Sequence, residues 1–121
     1  VLDLYFDVCS IGVNCEQLAR IFMFLAKHGR SADDLHSYLS RGQAKRINAI
    51  MLTCGFYDEA GDFAFRVGLP GKSGVGGGIV AVMPGEFSLA VWSPRLNEKG
   101  NSYRGLRFLE HFTDATQQTI F

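Results

Sequence analysis

The residues of this sequence best suited to catalysis or ligand binding are a lysine and a serine inside a glycine-rich segment. Lys72 and Ser73 follow Gly71, and four more glycines precede Ile79. The order Gly-Lys-Ser suggests a phosphate-binding loop, in which backbone amides and a lysine surround a phosphate. That loop needs another glycine where this sequence has Arg66, and it needs a helix where this sequence has further glycines. A dinucleotide-binding G-x-G-x-x-G pattern fails as well, because Ile79 takes the place of its third glycine, so nucleotide binding is not expected.

A second interpretation of the same residues is one side of an acyl-transfer site. A Lys-Ser-Gly sequence that leads into a strand of an antiparallel sheet resembles the K-T-G element of penicillin-binding proteins and β-lactamases. In such an element a lysine ammonium and a small hydroxyl line the site, which suggests Lys72 and Ser73 for these roles. Gly74 leaves room for a substrate beside the strand, and a backbone N–H just beyond it can donate to a developing oxyanion. A solvated lysine in a glycine-rich turn also fits this short element.

Capping signals and apolar periodicity predict the helices that position these residues. Capping-box spacings at Asn14 and Ser40 predict helices over 14–27 and 40–54, each ended by a glycine. A last helix is predicted from about Ser102. The side chains expected on the buried faces of these three helices are Leu18, Ile21, Phe22, Leu25, Ala44, Ile47, Met51, Cys54, Leu106, Leu109 and Phe112.

A β-hairpin is predicted after the glycine-rich segment. The runs 79–83 and 88–92 are short and apolar, and the four residues between them, 84–87, contain Pro and Gly. Both runs are apolar at nearly every position, which predicts helices on both faces of the sheet. Two strands alone form a marginal sheet, so we expect further strands to come from outside this sequence.

The first residues already follow a helical pattern. Leu2, Tyr5, Phe6 and Cys9 recur at i, i+3, i+4 and i+7, so the sequence enters an amphipathic helix at once. Because it also begins without methionine, we interpret it as a piece of a longer protein.

Composition narrows the possible functions further. Twelve basic residues balance twelve acidic ones, which argues against nucleic acids and membrane surfaces as partners. No apolar run approaches the roughly 20 residues that cross a bilayer, and a cytoplasmic protein is expected. Cys9, Cys15 and Cys54 lack metal-ligand spacing and have apolar neighbours, which predicts reduced, buried thiols. The three histidines also lack ligand spacing, so no metal site is expected.

A longer pattern surrounds the Lys-Ser-Gly element. Its residues are Cys54-Gly55-Phe56-Tyr57-Asp58, the run from Phe63 to Ile79, Trp92-Ser93-Pro94, Gly100-Asn101-Ser102, Arg104-Gly105 and, upstream, Leu2 to Phe6 with Cys9-Ser10. This pattern is similar to the signature of bacterial and mitochondrial-type glutaminases, which belong to the serine β-lactamase-like superfamily. The likeness extends from Leu2 to about Leu109.

The resemblance implies an α+β fold like that of β-lactamases and penicillin-binding proteins, an antiparallel sheet flanked by helices. Residues 1–121 would form the C-terminal part of a single catalytic domain. The implied activity is hydrolysis of L-glutamine to L-glutamate and ammonia through a serine acyl-enzyme, without a metal or organic cofactor. The resemblance also implies a homodimer or homotetramer for the intact protein.

The resemblance also assigns candidate site residues. Tyr5, Tyr57 and Val75 match substrate-contacting positions, with Tyr57 close to the reacting centre and Val75 donating its main-chain N–H to the substrate's amide oxygen. A phenol is a poor base at neutral pH, but a nearby ammonium such as that of Lys72 favours the phenolate, so Tyr57 and Lys72 are the catalytic candidates. Ser73 and Gly74 support the loop. Without the resemblance, Tyr5 fits a core position, Tyr57 an exposed loop and Val75 simple cover of a turn.

The nucleophile is not expected in this chain. In the family it lies in an S-x-x-K element, and no serine here has a lysine three residues later. The chain alone is therefore expected to be inactive. Two alternatives remain at this point: a penicillin-recognising serine hydrolase, which would share the Lys-Ser-Gly element, and a non-catalytic interaction module that keeps only the fold.

Overall fold

The computed structural model describes residues 1–121, and its helices and strands follow most of the predicted order. None of the helices is long and apolar enough to cross a bilayer. In chain order the elements are α1 (Leu2–Cys9), α2 (Cys15–Ala26), α3 (Arg41–Cys54), a 3₁₀ turn (Tyr57–Glu59), α4 (Ala60–Arg66), β1 (Gly71–Ser73), β2 (Gly78–Met83), β3 (Phe87–Trp92) and α5 (Tyr103–Thr116).

Two of the helices begin where their capping boxes predict. The Asn14 side chain accepts from the backbone N–H three residues later, and the side chain of Gln17 accepts in return from the backbone N–H of Asn14. Ser40 and Gln43 form the same reciprocal pair at the start of α3. Each box satisfies backbone donors that the first turn of a helix cannot use, so these starts are fixed by local sequence.

The sheet has three antiparallel strands in the order β1-β2-β3. The predicted hairpin is confirmed, because β2 and β3 pair along their whole length from Gly78 opposite Trp92 to Met83 opposite Phe87. The third strand was not predicted: β1 lies inside the glycine-rich segment and pairs with β2 at Lys72 opposite Val80. Three residues among glycines have no alternating pattern to reveal a strand, so one strand beyond the hairpin lies within this sequence and was missed.

Helices cover both faces of the central strand, as its apolar sequence predicts. Ile79 and Ala81 point to one face, where they pack with the cluster of α4 and α5 that contains Phe63 and Leu109. Val80 and Val82 point to the other face; the buried side chains that join them there, from α2 and α3, are Leu25, Ala26, Ala44 and Met51. The fold is therefore a sheet between two helical layers, with the end of α3 close to β1.

Several expected core positions are instead exposed. Ile21 is exposed because the buried side of α2 is centred on Phe22 and Ala26, which leaves Ile21 at its edge.

The prediction of buried thiols was wrong, since Cys9, Cys15 and Cys54 are all exposed. Cys9 belongs to a helix with no buried residue, and the other two lie at helix ends. The α4 helix that follows Tyr57 was also not predicted.

The glycine after α3 has a role that its sequence position alone does not reveal. Gly55 has an ordinary right-handed conformation with φ −75°, so it is not needed for a left-handed helix end. A Cβ on Gly55 would instead lie 1.8 Å from the carbonyl oxygen of Gly71. The Ser73 N–H also donates to the Gly55 carbonyl at 3.1 Å. Gly55 therefore permits main-chain contact between the end of α3 and β1.

The substitution Gly55→Ala tests this contact. The added methyl group must push α3 and β1 apart, and we expect it to lower the free energy of unfolding by about 1–3 kcal/mol, the usual cost of overpacking. Gly61→Ala is the matched control, because a Cβ there meets no atom within 4 Å. The control should be neutral or stabilising by about 0.5 kcal/mol through the unfolded chain. Urea unfolding of both variants measures the difference, and equal stabilities would contradict the contact.

Candidate functional site

Tyr57 has an unusual backbone conformation at the junction between α3 and α4. Its φ is +51°, in the left-handed region that large side chains rarely adopt. The preceding residue, Phe56, is fully buried and stacks on Phe63 with ring centroids 3.7 Å apart. Tyr57 itself is 47% exposed. The junction thus buries one aromatic ring in the core and leaves the next one at the surface.

Lys72 lies beside this phenol because of strand alternation. Gly71 and Ser73 are buried on β1, so the residue between them faces outward. Its ammonium nitrogen lies 5.0 Å from the centroid of the Tyr57 ring and donates to the main-chain oxygen of Ser73. A cation over an exposed aromatic ring contributes about 0.5–1 kcal/mol. The structure therefore brings together the two residues that the sequence suggested as catalytic.

The glycine turn after β1 is ordered by hydrogen bonds. Gly74 N–H donates to the Gly78 carbonyl at 2.9 Å, and Gly77 N–H donates to the Gly74 carbonyl at 2.9 Å. The Trp92 indole N–H donates to the carbonyl of Gly76 at 2.8 Å. These bonds hold residues 74–78 in one conformation at the end of β1.

Val75 occupies the tip of this turn. Its side chain is 70% exposed, and its main-chain N–H has no hydrogen-bond acceptor in the chain. A free N–H in a well-ordered turn can bind an oxygen of a substrate without breaking a protein hydrogen bond. We refer to Tyr57, Lys72 and the turn of residues 74–78 together as the Tyr57–Lys72 surface.

Ser73 faces away from this surface. Its side chain is 3% exposed, and its hydroxyl donates to Asn101 Oδ1 at 2.5 Å. Strand alternation places this hydroxyl opposite the Lys72 side chain. Ser73 therefore connects β1 to the interior, and its hydroxyl does not line the face of β1 that carries Lys72.

Tyr5 makes no direct contact with the other candidates. It is 61% exposed on α1, and no hydrogen bond or aromatic contact joins it to Tyr57 or Lys72. The Cys9 side chain one helical turn further on, through hydrogen bonding and charge, raises the pKa of the Tyr5 phenol above its ordinary value. Tyr5 thus stays protonated at neutral pH and is available as a hydrogen-bond donor.

Three polar residues near Tyr57 were not identified from the sequence as site residues. Glu59, Asn97 and Asn101 form a hydrogen-bonded group behind the Tyr57–Lys72 surface. Asparagines and glutamates are common in loops, so no local pattern could have indicated that these three meet.

Tyr57, Lys72 and Val75 of the Tyr57–Lys72 surface are all exposed. Two of the clefts in the chain are one of about 150 Å³ between α4 and α5, lined in part by Glu59 and Glu110, and one of about 480 Å³ near the start of α3, lined in part by Arg41 and Lys45. Neither cleft includes Tyr57 or Lys72. Nowhere do three His, Cys, Asp or Glu side chains lie close enough together to hold a metal ion.

Comparisons of sequence with known proteins agree with one another. The chain matches the family model described as Glutaminase over residues 1–121. It is 57% identical over 121 residues to the glutaminase of Saccharophagus degradans and 57% identical to that of Streptomyces coelicolor. Each comparison covers 100% of this chain and 39% of the relative. The chain thus spans about two fifths of the length of the curated relatives that it matches.

Solved structures show the same arrangement of elements. A probable glutaminase from Bacillus subtilis, complexed with 6-diazo-5-oxo-L-norleucine, superposes with a TM-score of 0.90 and 32% identity over 99% of this chain and 42% of that chain. The covalent complex between the B. subtilis glutaminase YbgJ and 5-oxo-L-norleucine, formed by reaction with 6-diazo-5-oxo-L-norleucine, has a TM-score of 0.83 and 35% identity over 88% of this chain and 39% of that chain. The predicted fold class, an antiparallel sheet flanked by helices, is confirmed.

Trp92 offers a direct test of the glycine turn, because it is the single tryptophan of the chain. Gly77 has φ +90°, and a Cβ there would lie 2.4 Å from the Ser93 carbonyl oxygen. We expect Gly77→Ala to open the turn, release the indole from Gly76 and lower the fluorescence anisotropy of Trp92. Gly76→Ala is the control, since a Cβ at that position meets no atom within 4 Å. Unchanged anisotropy in Gly77→Ala would show that this turn is not held as described.

Proposed function

Because the chain belongs to the glutaminase family, we propose that it takes part in hydrolysis of the side-chain amide of L-glutamine to L-glutamate and ammonia. The observation that carries this proposal is the match of the family model to the whole chain, combined with the Tyr57–Lys72 surface. That surface presents a phenol, an ammonium and a free main-chain N–H on adjoining segments. Glutamine hydrolysis needs these three kinds of group: a proton carrier, a positive charge and an oxyanion donor.

The proposed reaction proceeds through an acyl-enzyme. A serine hydroxyl oxygen attacks the amide carbon, the C–N bond breaks, and ammonia leaves with the proton that the hydroxyl gave up. Water then attacks the ester carbon, which frees the serine and L-glutamate. The covalent complex of the B. subtilis relative with 5-oxo-L-norleucine supports a nucleophile in the family. We propose that an S-x-x-K element outside residues 1–121 supplies it, as the resemblance implies.

The residues of this chain act on the proton and on the developing charge. The Tyr57 phenol, with the Lys72 ammonium beside its ring, passes a proton from the nucleophile to the leaving ammonia. The Val75 N–H donates to the oxyanion of the tetrahedral intermediate. Tyr5, as a neutral donor on α1, binds the glutamine. Because the chain spans only about two fifths of its curated relatives, we propose that residues 1–121 alone do not complete this site.

A chimera tests the proposed function. Residues 1–121 would replace the matching segment of the Saccharophagus degradans glutaminase, and ammonia release from L-glutamine would be measured. We expect turnover by the chimera and none by residues 1–121 alone. Tyr57→Phe should lower kcat by about 100- to 10,000-fold, the range for loss of a proton-transfer group. Tyr38→Phe is the matched control, because Tyr38 is similarly exposed but lies in the loop before α3.

Other outcomes of this experiment would favour the alternatives. A folded chimera that neither binds nor hydrolyses glutamine would indicate a non-catalytic module. Hydrolysis of a chromogenic β-lactam in place of glutamine would indicate a penicillin-recognising hydrolase. Equal activity of Tyr57→Phe and Tyr38→Phe would contradict the role of the phenol while leaving the substrate assignment intact.

The oxyanion role of Val75 depends on its main chain and not on its side chain. In the chimera, Val75→Ala keeps the N–H and should change kcat by less than about threefold, because the lost side chain is exposed. Val75→Pro removes the N–H and should lower kcat by about 100- to 1,000-fold, as expected for one lost oxyanion donor. If both variants lose activity equally, the Val75 side chain and not its N–H is what matters.

A further inference from the structure

A buried asparagine joins the two segments that carry Tyr57 and Lys72. Asn101 is fully buried, and both its Oδ1 and its Nδ2 form hydrogen bonds. Its Oδ1 accepts from the Ser73 hydroxyl at 2.5 Å. Its Nδ2 donates to the Phe56 carbonyl at 3.2 Å and to the Glu59 carboxylate. One amide therefore connects the residue after Lys72 with the residue before Tyr57.

Asn97 completes this arrangement around the Glu59 carboxylate. Its Nδ2 lies 2.9 Å from one carboxylate oxygen of Glu59 and 2.8 Å from the other. Its Oδ1 accepts from the backbone N–H of Asn101 at 3.0 Å. An aspartate at this position would bring two carboxylates within hydrogen-bond distance of each other, which is unfavourable. The asparagine at position 97 is thus matched to Glu59.

The hydrogen bonds of Asn101 surround the strained residue. A left-handed conformation is disfavoured for a side chain as large as that of Tyr57 and persists only where its surroundings impose it. The Phe56 carbonyl just before Tyr57 and the Glu59 side chain two residues after it are both bound by Asn101. The amide therefore restrains the chain on both sides of the unusual φ angle.

We propose that Asn101, with Glu59 as its carboxylate partner, is a positioning residue that holds the Tyr57 phenol in place beside Lys72 for proton transfer. It does not touch the substrate. It acts through Tyr57 and through Ser73, which fixes β1. This proposal rests on the proposed function, because its readout is the contribution of Tyr57 to glutamine hydrolysis.

A double-mutant cycle in the chimera tests the proposal. Asn101→Ala should lower kcat by about 10- to 100-fold, since misplacing a reacting group by about 1 Å has an effect of that size. KM should change by less than about threefold, because the substrate contacts remain. In a Tyr57→Phe background, Asn101→Ala should lower kcat by less than about twofold, since coupled residues do not act additively. If the role of Asn101 were purely structural, Asn101→Ala would lower kcat by the same factor with Tyr57 present and with Tyr57 replaced by Phe.

Substitutions of Glu59 provide a second test of the proposal that leaves the Asn101 side chain in place. Glu59→Ala removes the acceptor for Asn101 Nδ2 and should reproduce the kcat loss of Asn101→Ala. Glu59→Gln keeps a carbonyl oxygen at that position and should recover most of the activity. Asn48→Ala is the matched control, because Asn48 is also a buried asparagine and its Nδ2 donates to a distant carbonyl, that of Leu25.

The outcomes separate this proposal from the function on which it rests. Equal kcat losses in the two Tyr57 backgrounds, or an equal loss in Asn48→Ala, would overturn the positioning role and leave the proposed function standing. No effect of Tyr57→Phe itself would overturn the role of the phenol and, with it, this proposal. Asn101 would be established as a positioning residue by three results together. The kcat loss of Asn101→Ala depends on Tyr57, Glu59→Gln keeps most of the activity, and Asn48→Ala leaves kcat unchanged.

Discussion

The close approach of the end of α3 to β1 is the constraint on which the rest of the structure depends. Gly55 and Gly71 lie so near that no side chain fits at Gly55. The two main chains therefore meet directly, and Ser73 N–H donates across the contact. Because Tyr57 and Lys72 follow these glycines by two residues and one, the contact brings a phenol and an ammonium together at the surface. A larger residue at either glycine would separate the groups that the proposed chemistry needs in contact.

The charged groups around this contact leave the Lys72 ammonium without a carboxylate partner. The Glu59 carboxylate lies close by, but Asn97 and Asn101 satisfy its oxygens with amide N–H groups. Lys72 forms no ion pair, and its ammonium remains over the Tyr57 ring. A carboxylate bound to Lys72 would cancel the positive charge that the proposed chemistry uses beside the phenol. Neutral amides therefore allow an acidic residue to brace the site without competing for its cation.

Local sequence predicted the parts of the fold that local hydrogen bonds determine. The capping boxes at Asn14 and Ser40 involve residues three positions apart, so both helix starts could be predicted from local sequence. The hydrogen bonds of Asn101 could not be predicted in this way, because Asn101 binds partners 28 and 42 positions away. The thiol at Cys9 was misjudged for a similar reason. Its helix has the apolar pattern of a buried element, yet exposure depends on what packs against it, and α1 buries none of its residues.

Tyr57 shows how a local rule for backbone conformation can fail. The left-handed region favours glycine, asparagine and aspartate, so the residue type alone gives no sign of the φ of +51° found there. Such a conformation costs about 1–3 kcal/mol. Burial of the neighbouring Phe56 ring, stacked on Phe63, contributes about 1.5–3 kcal/mol and offsets a cost of that size. A glycine at position 57 would relieve the strain but would remove the phenol. The proposed proton transfer by the Tyr57 hydroxyl would give a physical reason to keep this strain beside Lys72.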